Sequence, residues 1–171
     1  EGLVSIQPRR GAIVTKLTIE EVEDVFEIRA MLLGLAGRRA ALQGDKALVM
    51  ELREQLARLQ SLLERDDDED VTDAYLAEVQ DLNLKLCTRT GSKRLAELIF
   101  SLLHQTMRYS RLGLSTVERR QQSIRNWTLL IEHIATGDAD GAEKATQTLV
   151  NRSKDMAVRL LRKQAKSGAK D

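Results

Sequence analysis

One cysteine, one proline, two histidines and an aromatic content of 3% are what this 171-residue chain has little of. A lone Cys87 excludes an internal disulfide and fits a reducing, cytoplasmic setting. It closes the apolar stretch LKLC, so it reads as a buried structural thiol and not as a nucleophile. The single proline, Pro8, and the few aromatics suit a chain of Leu- and Ala-rich helices. No apolar run reaches roughly eighteen residues and no signal-peptide pattern leads the chain, which argues for a soluble, untargeted protein without a membrane partner. The formal net charge of +1 gives no global attraction for nucleic acid, so any such contact must come from local charge. Catalytic signatures are missing too. There is no P-loop, no G-x-G-x-x-G, no C-x-x-C and no G-x-S-x-G. His104 and His133 stand on different segments, without the H-x-x-x-H or E-x-x-H spacing that holds zinc or a di-iron centre. The chain is not read as an enzyme.

What the sequence has is helical period. Thr18 is a candidate N-cap, with Glu20, Glu21 and Glu23 where the helix dipole favours anions. Val22, Phe26, Leu33, Ala36 and Ala40 follow as an apolar stripe that ends near Gly44. Asp45 caps a second helix marked by Leu52, Leu56, Leu59 and Leu63. ERDDDED, residues 64–70, reads as an acidic solvated turn, since it lacks the spaced ligands and central glycine of a calcium loop. A third helix is expected over Val71–Thr90 and a fourth over Lys93–Leu112. Ser115, with Glu118 three residues on, outlines a capping box for a fifth helix that ends at Gly137, and Asp138 starts a sixth. Six helices with short connections predict an all-α antiparallel bundle. Residues 2–16 differ, because short β-prone stretches flank the tip PRRG and predict a hairpin that is not stable alone.

Three polar residues fall on apolar faces. Arg29 lies three and four positions from Phe26 and Leu33; Asn83 lies among Val79, Leu82 and Leu86; Arg108 follows Met107 at the end of the fourth apolar run. A buried arginine needs an anion, because an unpaired charge in the interior costs several kcal/mol. Two readings stay open: an internal salt bridge, or a small acidic ligand inside the bundle.

GLVSIQPRRGAIV followed by LTIEEVEDVFEIRAMLLGLAGRRAA closely resembles the junction in GntR-type bacterial transcription regulators of the FadR-like, FCD-containing subfamily. TRTGSKRLAELI and ATGDADGAEKA resemble two later stretches of that family, so the likeness runs along the whole chain in order. The resemblance implies that residues 1–16 are the wing of a winged helix-turn-helix otherwise missing from this chain. Residues 17–171 would then be a helical effector-binding and dimerisation domain.

The resemblance also implies a ligand set and shows it altered. The family's metal-binding Asp and three His positions fall on Val79, Asn83, Trp127 and Leu149. Three of these are apolar and the fourth is a neutral amide, so no metal cofactor is expected. The family's Glu after Leu32 is Leu33 here. The expected effector site is Arg29, Asn83, Arg108 and Trp127, taking a small carboxylate-bearing metabolite, with Trp127 either one wall or ordinary core. Arg9, Arg10 and Gly11 at the wing tip are expected to touch operator DNA. The partners implied are DNA, a small effector and a second copy of the chain in a homodimer. The alternative is a purely structural helical dimerisation module with a filled core and no ligand.

Overall fold

Helix α1, Ile19–Gln43, opens on a full capping box: Thr18 Oγ1 accepts from the Glu21 amide, and the Glu21 carboxylate accepts from the Thr18 amide. It stops at Gly44, whose φ of 63° is the left-handed conformation that glycine adopts without strain. Asp45 caps α2, Lys46–Leu62, by accepting from the amides of Ala47 and Leu48. Then follow α3, Glu69–Thr88, and α4, Lys93–Gly113. Helix α5, Val117–Thr136, ends on the left-handed Gly137, and α6, Ala139–Ser167, completes the order. In this computed structural model the described residues are 4–7, 11–14, 17–65 and 69–167. The fold is all-α. Two short backbone stretches, β1 (Val4–Gln7) and β2 (Gly11–Val14), pair antiparallel with Val4 opposite Val14 and add no layer to the bundle.

Two element boundaries differ from the sequence reading. The N-cap of α5 is Thr116, which accepts from the Arg119 amide. Ser115 instead turns its hydroxyl back to the Leu112 carbonyl and finishes α4. Both residues carry the required hydroxyl, so composition could not separate them. Helix α3 starts two residues earlier and ends two residues earlier than expected, because its acidic leader already joins the first turn.

The packing order is not a simple run of neighbouring hairpins. α2 packs on α3, α3 on α4 and α5 on α6, but α1 has its largest contact with α6 and also meets α4, α5 and α3. Small residues permit this. Ala30, Gly34, Gly37 and Ala41 line the buried face of α1, and a Cβ on Gly37 would come 3.0 Å from the Ala142 carbonyl oxygen of α6. Phe26, Leu33, Leu52, Leu82, Ile99, Trp127 and Leu130 fill the core around that contact. No helix among the described residues is long and apolar enough to cross a membrane.

Candidate functional site

The periodicity of α1 that buries Phe26 and Leu33 also buries Arg29, which is 5% exposed. Its Nη1 donates to Thr106 Oγ1 at 2.8 Å and to Ser110 Oγ at 2.9 Å, both on α4. Its guanidinium carbon lies 5.1 Å from the centre of the Phe26 ring. Nε is buried with no hydrogen-bond partner among the described residues. Every partner of Arg29 is neutral, and no carboxylate among the described residues pairs with it. Burial lowers its pKa to about 10, with nearby Cys87 opposing, so the group remains charged at neutral pH. Hydrogen bonds to a charged group are worth about 1.5–3 kcal/mol each, and a desolvated cation–π contact about 2 kcal/mol. Such contacts can offset a desolvation penalty of several kcal/mol, yet they leave a full positive charge in the interior.

Arg29 lines a cavity between α1, α3, α5 and α6 together with Val79, Asn83, Trp127 and Leu149. All four positions that the family resemblance maps to metal ligands thus surround one space. That space has a volume of about 20 Å³, room for about one water molecule. Ser123, Thr146 and Ser153 also line it. Asn83 Nδ2 donates to the Val79 carbonyl at 2.8 Å, one turn back along its own helix. Trp127, 2% exposed, is core and cavity wall at once. The donor set does not fit a metal: two aliphatic side chains, an indole and an amide already donating to backbone provide no charged ligand. Among the described residues no group of three or more His, Cys, Asp or Glu could hold an ion.

The structure brings Arg29, Asn83 and Trp127 together and leaves Arg108 out. Arg108 is exposed and stacks its guanidinium 5.2 Å from the Tyr109 ring centre. The buried face of α4 runs through Thr106, Tyr109, Ser110 and Gly113, and a residue two positions from Thr106 points away from it. The internal salt bridge to Arg29 is likewise replaced, by the Thr106 and Ser110 hydroxyls. Those two residues escaped the sequence reading. Their four-residue spacing on an otherwise apolar helix face was the available signal. Arg9 and Arg10 lie outside the described residues, and Gly11 opens β2.

Residues 24–152 match the FCD domain family. No curated protein matches the chain in sequence. Among solved structures, the Listeria monocytogenes protein Lar, described as controlling expression of the agr system and mediating virulence, superposes with a TM-score of 0.72 at 16% identity. That match covers 93% of this chain and 74% of Lar. A GntR-family transcriptional regulator from Pseudomonas syringae pv. tomato superposes with a TM-score of 0.67 at 20% identity, over 97% of this chain and 67% of that one. Both are likenesses of fold.

Proposed function

This chain belongs to the FCD domain family, and from that premise we propose that it senses a small carboxylate-bearing metabolite for a dimeric, DNA-binding transcription regulator. Residues 1–16 are read as its wing hairpin and residues 17–171 as its effector-binding and dimerisation domain. Its work is binding and not catalysis. The observation that carries this reading is Arg29, a buried guanidinium whose partners are all neutral and whose Nε has none. A carboxylate entering beside it would supply the missing charge and accept in the planar, forked geometry that arginine favours. Asn83, Trp127 and the cavity hydroxyls would form the rest of the site, without a metal.

A cavity of about 20 Å³ is smaller than any metabolite, so ligand entry must move α3, α5 or α6 away from α1. Binding and helix repacking then become one event, which is how occupancy could bias the placement of the wings. The same small volume favours the second reading, a dimerisation module with a filled core.

A thermal-shift panel of mono- and dicarboxylates separates the two. A ligand at a hundredfold excess over its Kd adds about 2.7 kcal/mol, or roughly 5–10 °C in Tm for a chain of this length. The shift should vanish in Arg29→Gln and shrink in Arg29→Lys, which keeps the charge but loses the fork. A panel with no responding acid leaves the filled module as the function.

A further inference from the structure

A second charged feature lies at the surface, away from Arg29. Residues 152–166 of α6 carry six Lys or Arg and one carboxylate, although the whole chain has a formal charge of only +1. Two adjoining grooves of about 510 and 530 Å³ share Asp155 and Arg159, so together they form one trough along this part of the helix. Arg119, Arg152, Arg159, Arg162, Lys163 and Lys166 line it against the carboxylates Glu118, Asp155 and Glu23. Arg162 is held 3.0 Å from Glu23 of α1. Arg152, Arg159, Lys163 and Lys166 have no ion-pair partner among the described residues. Arg119 is held in place: its Nε donates to the Gly113 carbonyl at 3.2 Å and its Nη1 to Gln122. Burial, and after it the charge of Arg152, lowers the Arg119 pKa, with Tyr75 and Asp155 opposing. Arg119 and Arg152 therefore line one groove, with Glu118 and Asp155 as its carboxylates.

We propose that this trough binds the phosphate backbone of duplex DNA, as a contact additional to the wing. The choice of partner rests on the regulator reading above; the anionic chemistry rests on the trough itself. Length argues for a polymer over a small phosphate. Arg152 to Lys166 spans about 21 Å of helix, the rise of about six phosphates along one DNA strand. Composition argues for duplex backbone over single strands, because no aromatic side chain lines the trough to stack on a base. It argues equally against a membrane, since none of the large exposed hydrophobic residues lies along the trough to enter lipid. Glu23 stands one turn inside α1, which places one end of the trough beside the first turns of that helix.

The test is fluorescence anisotropy of the 171-residue chain with a labelled 20-base-pair duplex of arbitrary sequence at about 50 mM salt. Binding is expected with a Kd on the order of 10–100 µM, within the range of non-specific DNA contacts. Arg152→Glu with Arg159→Glu should weaken it at least tenfold and flatten the salt slope by about two, at about 0.9 per phosphate released. Arg53→Glu with Arg58→Glu makes the same charge change on exposed positions of α2 and should stay within threefold of the parent. Arg9→Ala with Arg10→Ala measures the share owed to the hairpin. Thermal melts verify folding, and Arg152→Gln with Arg159→Gln is the milder pair if the reversals fail to fold. Absence of binding, equal loss in both reversed pairs, or loss confined to the hairpin pair overturns the proposal. A Tm rise with inorganic phosphate and no duplex binding also overturns it, in favour of a small-anion site. The Arg29 panel contains no DNA and this assay contains no added acid, so either reading can fail without the other.

Discussion

At Arg29 the surroundings stop short of neutralising the charge they enclose. Two hydroxyls and a phenyl face make the interior tolerable to a guanidinium, and no acid among the described residues completes it. Cys87 cannot serve as that acid: burial pushes its thiol up to about 12 despite the nearby arginine, so it is neutral across the physiological range. The side chains around the same cavity offer a metal little. Val79 and Leu149 have no donor, the Trp127 ring nitrogen can only donate, and the Asn83 amide donates to its own helix. A metal there would give up its hydration shell for almost nothing. Elemental analysis of protein purified without chelator should therefore find Zn, Mn and Ni each well below about 0.1 equivalent per chain, given the ligand chemistry these metals require. A full equivalent of any of them would contradict the assignment.

Element packing depends on the absence of side chains at a few points. Gly113 closes α4 where it crosses α6, and a Cβ there would stand 2.7 Å from the Ser153 carbonyl oxygen and 3.0 Å from its Cα. Both are backbone atoms, so no rotamer change relieves the contact. Gly113→Ala should gain about 1 kcal/mol of helix propensity and lose more by forcing α4 from α6. The net expectation is destabilisation of about 1–3 kcal/mol in urea unfolding, typical of an overpacked contact. Unchanged or increased stability would mean that the two helices are not held at this distance. Such contacts mark what the sequence made legible and what it did not. Helix ends at Gly44 and Gly137, and the inward phase of Arg29 and Asn83, follow from local spacing and so could be read in one dimension. Arg108 could not, because Thr106 and Ser110 look polar and hide the continuation of the buried face past the last leucine. The pairing of α1 with α6 joins residues more than a hundred positions apart, and the cavity volume depends on side chains from four helices. Neither leaves a trace in local pattern.

For the whole molecule, α1 is the shared part. It starts at Ile19, reaches Arg29 after about 15 Å of helix, and rests on α6 both before and beyond it. Under the proposed function, a ligand that parts α3, α5 or α6 from α1 would alter the packing of the helix that follows the wing residues in sequence. By linkage, if an acid changes DNA affinity by some factor, DNA must change the affinity for that acid by the same factor. Arg9 and Arg10 provide the test of this arrangement. If residues 1–16 are the wing of a DNA-binding regulator, as proposed, Arg9→Ala with Arg10→Ala in the intact protein should weaken operator binding at least tenfold. It should also lower the salt slope by about two, because each arginine that neutralises a phosphate releases close to one counterion. The acid-induced Tm rise should remain, since Arg29 and its cavity are untouched. Operator binding that keeps both its strength and its salt slope would show that Arg9 and Arg10 do not reach the phosphates, and would overturn the wing assignment of residues 1–16.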